Sequence, residues 1–143
     1  MARPGKGLLA VEEYARRKEQ NALKAFGDSQ TALAQGQQQL LDLEQFRTEY
    51  QAQMLQKGQQ STRMLVLQRY RRFIEQLDQV IGQQRERIVQ LEAHRIQKRR
   101  AWLLSCNEKK RYQKLRENQR GAARSRELLQ EQALIDDRAG RRS

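Results

Sequence analysis

Few residues in this sequence could do chemistry. There is one histidine, His94, and one cysteine, Cys106. A zinc site built from several Cys and His ligands is therefore excluded within one chain. A Cys-His nucleophile pair would need the two side chains in contact. Twelve residues apart on one helix, they stand about 18 Å apart along its axis. They read instead as a helix-surface histidine and a partly buried thiol. Gly5-Lys6-Gly7 is no phosphate loop, which needs a longer glycine-rich loop ending in Gly-Lys-Ser/Thr between a strand and a helix. Glu12 with Glu13, and Asp136 with Asp137, read as solvated helix-end charges. No catalytic residue, metal site or cofactor is expected, and no enzyme activity.

The elements that position these residues are helices. The 143 residues fit one domain, 1–143. Hydrophobic residues make up only 37%, there is a single proline, Pro4, and the mean hydropathy is −1.03. That balance suits long helices with thin apolar seams rather than a thick core. Disorder competes as a reading of so polar a chain, but the stretch from Leu67 to Leu91 argues for helix. Its apolar residues fall at Leu67, Tyr70, Ile74, Leu77, Ile81, Ile88 and Leu91, in steps of three and four, with Gln84 interrupting the series. This is the seam of a coiled-coil strand.

A first helix is expected over residues 8–56, after a frayed start at residues 1–6. Its seam is weaker: Phe26, Leu33, Leu40, Arg47 and Met54, beside Ala15, Ala22, Ser29, Gly36, Leu43 and Tyr50. Gly27 and Gly36 each cost about 1 kcal/mol relative to Ala, so this helix needs a partner. Residues 57–62 read as a turn, with Gly58 as a left-handed cap and Ser61 or Thr62 capping the next helix. A second helix follows over residues 62–137, and the basic residues 140–143 read as a disordered end. A helix of that length spans roughly 110 Å, too long for a compact domain unless the chain folds back. The expected fold is all-α: a long antiparallel two-helix coiled-coil hairpin, its C-terminal helix overhanging by about 25 residues. Paired residues then have numbers summing to roughly 119. This sets Phe73 opposite Phe46, Leu77 near Leu43, Ile88 near Leu33, Leu91 near Phe26, and Trp102 beside Tyr14 to Lys18.

The formal net charge is +12, which favours an anionic partner. Near the turn, Asp42, Glu44 and Glu49 offset Arg47 and Lys57. The hairpin gathers Arg16, Arg17, Lys18, Lys98, Arg99, Arg100, Lys109, Lys110, Arg111, Lys114, Arg116 and Arg120 at the tip that carries both termini. A lone cysteine points to a reducing cytoplasm. No run of about 18 apolar residues could span a membrane, and Leu8 to Val11 are too few for a signal core. In a narrow two-helix seam, Phe46, Tyr50, Phe73 and Val80 cannot all be buried. Together they make a mid-shaft apolar patch, a common mark of a protein interface.

The run Tyr70-Arg71-Arg72-Phe73-Ile74-x-x-Leu77-x-x-Val80-Ile81 follows Gln39-x-x-x-Leu43-x-x-Phe46-x-x-x-Tyr50 and precedes Trp102 and Glu108-Lys109-Lys110. This order resembles the FliJ family over residues 11–139. FliJ proteins are small coiled-coil components of the bacterial flagellar type III export apparatus. The resemblance implies a non-catalytic, stalk-like hairpin that binds the export ATPase hexamer, promotes its assembly, contacts the export-gate protein FlhA and interacts with export chaperones. It thereby implies a role in flagellum biogenesis and motility, at the cytoplasmic face of the cell membrane. The family's gate-binding surface matches Gln39, Leu43, Phe46, Tyr50, Phe73, Leu77, Val80 and Gln84. At Phe46, Val80 and Gln84 the chain departs from the Tyr, Ala and His found elsewhere in the family. Arg16, Arg17, Lys109 and Arg116 are the candidates for ATPase binding, on charge and position. A virulence-system stalk shares the architecture. A basic nucleic-acid-binding coiled coil is a further alternative, disfavoured because Trp102 and Tyr112 are the few aromatics among the cations. A purely structural homodimer would instead be one unbroken helix.

Overall fold

The computed structural model describes residues 4–59 and 63–142. Two helices account for these residues apart from Arg63: α1, Pro4–Gln59, and α2, Met64–Arg142, packed against each other as an antiparallel hairpin. No strand occurs among the described residues. Pro4 suits the first helical position, where its missing N–H has no partner to lose.

Gly58 is helical rather than a left-handed cap, so α1 runs on to Gln59 with Lys57 in its last turn, complementing the negative end of the helix dipole. The expected capping residues Ser61 and Thr62 lie outside the described residues. At the start of α2, the Arg63 carbonyl accepts hydrogen bonds from the N–H groups of Val66 and Leu67, at 3.0 and 3.4 Å. At the far ends, Pro4–Lys6 and Gly140–Arg142 are helical, against the fraying expected there.

Packing divides the chain into two compact units: Leu23–Arg100, and Met1–Ala22 with Ala101–Ser143. In the Leu23–Arg100 unit the core is Phe26, Leu33, Ile74, Leu77 and Ile81. Every residue of the two expected α1 series within this unit is buried or half-buried, as is every seam residue from Leu67 to Leu91, Gln84 included. Phe73 meets Phe46 as expected, but other pairs are shifted by several residues. Arg47 would have faced Arg72; it pairs with Asp78 instead. Leu91 reaches Gly36 rather than the vicinity of Phe26. The cause is the helical Gly58, which moves the reversal a few residues along the chain.

At Gly36 the two helices approach closely. A Cβ there would sit 2.9 Å from Leu91 Cδ1 and within 3.7 Å of both Gln84 and Ile88, so glycine is what lets the helices meet. Gln84, the polar interruption of the seam, donates to the Gly36 carbonyl at 2.9 Å and to Gln39 Oε1 at 3.2 Å. Ser29 is likewise buried with its hydroxyl satisfied by the Phe26 carbonyl at 2.6 Å. Burying these groups is tolerable because each has a partner.

The unit containing both termini is built differently. On α1 the half-buried or buried positions are Leu8, Glu12, Glu13, Ala15, Glu19 and Ala22; on α2 they include Trp102, Ser105, Lys109, Tyr112 and Arg116. The heptad spacing persists, but charged residues occupy the seam. Beyond Arg116 every α2 residue from Glu117 to Arg141 is exposed. This is the overhang.

Candidate functional site

In the Leu23–Arg100 unit, rings from both helices converge. Tyr50 lies 4.6 Å from Phe73 and 4.8 Å from Tyr70 between ring centroids. Phe46 meets Phe73 edge-on at 6.2 Å, with 79° between the planes. Such tilted and edge-to-face contacts are favoured by the ring quadrupoles. The cluster is only partly buried: Phe46 remains 46% exposed.

Beside the rings is a shallow hollow of about 380 Å³, lined by Gln39, Asp42, Leu43, Phe46 and Gln84. An adjoining hollow is lined by Val80, Gln84 and Arg87 among others. Gln84 thus joins both. Of the eight residues expected on this surface, Gln39, Leu43, Phe46, Tyr50, Phe73, Val80 and Gln84 are exposed or half-buried. Leu77 is 8% exposed and belongs to the core. Two members escaped the sequence reading. Tyr70 was assigned wholly to the seam, and Asp42, held by the Gln38 amide at 3.0 Å, was read only as an offsetting charge.

Asp42, Glu44 and Glu49 do not offset Arg47 as expected. Arg47 donates through Nε and Nη2 to the two carboxylate oxygens of Asp78. Arg85 donates to Glu44 at 3.1 Å. The hydrogen bond from Arg47 holds the Asp78 carboxyl below its usual range, and raises Arg47 in turn.

In the unit with both termini, Arg16, Lys109 and Arg116 line one hollow of about 210 Å³, with Leu9, Glu12, Glu13 and Gln113. Arg17 is not among its lining residues. All four candidate cations are ion-paired. Arg16 and Arg17 both donate to Glu13, whose carboxyl is lowered to about 2, chiefly by its hydrogen bond to Arg16. Lys109 stands 4.0 Å from Glu19, and Arg116 stands 3.2 Å from Glu12. Glu19 also accepts hydrogen bonds from Trp102 Nε1 at 3.1 Å and from the Cys106 thiol at 3.8 Å. The side chains of Glu12 and Glu19 are only 17% and 13% exposed. Glu12 is therefore no solvated helix-end charge. Its heptad phase with Leu8, Ala15, Glu19 and Ala22 was the available signal. His94 is exposed and Cys106 half-buried, as expected. Among the described residues, no three His, Cys, Asp or Glu side chains are grouped to hold a metal ion.

Comparison with protein families decides what this hairpin is. The family model described as flagellar FliJ protein matches residues 6–143. The chain belongs to the FliJ family. FliJ membership makes it a component of the flagellar protein export apparatus, in a family that is non-catalytic. No curated protein and no solved structure matches the chain. No described helix is long and apolar enough to cross a membrane.

Proposed function

We propose that the chain is a stalk that links the flagellar export ATPase to the export gate and performs no chemistry itself. The unit with both termini contacts the ATPase hexamer and promotes its assembly and activity. Arg16, Arg17, Lys109 and Arg116 supply the cations on this surface, and a carboxylate-rich ring interior is its natural complement. The surface of Gln39, Leu43, Phe46, Tyr50, Phe73, Val80 and Gln84 docks on FlhA, with Leu77 supporting it from beneath. Export chaperones are further partners, and the site of action is the cytoplasmic face of the cell membrane at the flagellar base.

The observation that carries this reading is the exposed ring cluster around Phe46 and Phe73. A two-helix seam needs no such surplus of aromatic surface, whereas interfaces are enriched in aromatic anchors.

The test is stimulation of the purified export ATPase by the full chain. Wild-type protein should raise ATP hydrolysis, and a paired Lys109→Glu, Arg116→Glu variant should raise it much less. Equal stimulation by the variant would remove these cations from the ATPase contact.

A further inference from the structure

The turn-proximal part of the Leu23–Arg100 unit has a composition that neither the seam nor the aromatic patch explains. Between Glu49 and Glu75 the sequence contains no carboxylate, but it contains Lys57, Arg63, Arg69, Arg71 and Arg72. The four arginines are exposed, and among the described residues none has a carboxylate partner. Elsewhere in this unit Arg47 is matched by Asp78, Arg85 by Glu44 and Arg95 by Glu92, and carboxylates are interspersed with the remaining cations.

The same stretch of the chain carries large exposed apolar side chains. Leu55, Met64 and Leu65 are 61%, 68% and 58% exposed. Leu55 also lines a hollow of about 300 Å³ with Met54, Gly58, Gln59, Leu67 and Arg71. Here a guanidinium stands at the rim of an apolar recess. A polyanion such as nucleic acid would use the arginines but gain little from exposed leucine and methionine. A bilayer with anionic headgroups uses both: cations are drawn to the surface potential and apolar side chains enter the headgroup–acyl boundary.

We propose that this surface binds directly to an anionic phospholipid bilayer. Leu55, Met64 and Leu65 enter the interface, and Arg63, Arg69 and Arg71 hold the lipid phosphates. The contact lies outside both proposed protein-docking surfaces, and it stands whether or not those are correct.

Flotation of the full chain with vesicles tests it. One vesicle is phosphatidylcholine alone; the other contains about one-third phosphatidylglycerol, enough to set up a negative surface potential. The protein should float only with the second. Two double variants probe the two halves of the contact, Arg63→Glu with Arg69→Glu, and Met64→Gln with Leu65→Gln. Each should weaken partitioning by about tenfold or more, given the contribution of each cation and apolar group at such a surface. Lys110→Glu with Arg111→Glu, in the other unit, should leave it within about threefold of wild type on the same grounds. Circular dichroism establishes that each variant keeps its helix content. Independently, the emission that a Leu65→Trp variant adds to that of Trp102, read as the difference from wild type, should be blue-shifted with anionic vesicles only. The proposal is overturned if wild-type protein stays with the soluble fraction or if the turn-proximal changes have no effect. It is equally overturned if charge reversal matters while the apolar pair does not, since that result describes a polycation adsorbed without insertion.

Discussion

Residue scale separates support from docking at the aromatic surface. Leu77 and Phe46 were nominated together, yet one is core and the other half-exposed. Leu77→Ala should cost about 2–5 kcal/mol of stability through lost burial and the cavity left behind. Phe46→Ser should cost much less in thermal unfolding and act mainly on binding. Two glycines make a similar contrast. A Cβ at Gly27 meets nothing within 4 Å, whereas at Gly36 it meets Leu91. Gly27→Ala should therefore stabilise the chain by up to about 1 kcal/mol, and Gly36→Leu should destabilise it by about 1–3 kcal/mol through overpacking; urea unfolding reads both. Asp78 gives a pH signature. Its carboxyl is depressed in the folded state by Arg47, so its contribution is present above the ordinary value of 3.8 and is lost as pH falls through the depressed one. The melting-temperature gap between wild type and Asp78→Asn should be open at neutral pH and close in acid. A gap that persisted in strong acid would place the effect elsewhere. Such pairs were invisible to sequence, because they depend on a register that the helical Gly58 moved.

Element scale shows what the heptad pattern could and could not convey. The apolar steps of three and four from Leu67 to Leu91 were legible because one face of a helix must be buried. The same spacing continues through Lys109 and Arg116 on α2, and through Glu12 and Glu19 on α1. There the pattern was missed, because charged residues were read as solvated by type and not by phase. A seam of ion pairs buries little apolar area and weakens in salt. Hydrogen exchange should accordingly be faster over residues 8–22 and 101–116 than over 33–43 and 74–91, with the difference growing at high salt. Residues 117–141 bury no side chain, and most helical stability in proteins comes from tertiary packing; they should exchange fastest of all. Uniform protection along α2 would contradict this account of the seams.

At the scale of the whole molecule, the chain is a FliJ-family hairpin whose described residues serve seams and surfaces. The fold was legible in composition and period alone. The aromatic patch was legible in the residues themselves, but its proposed partner came only through the resemblance, since exposure by itself does not say what covers a patch. The central proposal is that the exposed rings bind the export gate while the unit with both termini contacts the ATPase. The most direct measurement is capture of the FlhA cytoplasmic domain by the full chain, with Phe46→Ser combined with Val80→Asp as the variant, and ATPase stimulation measured on the same preparations. Wild-type protein should capture the gate domain. The variant should lose capture by about tenfold or more, as expected for removal of an interface anchor, and should still stimulate the ATPase. Undiminished capture by a folded variant, or no capture by wild type, would contradict the account.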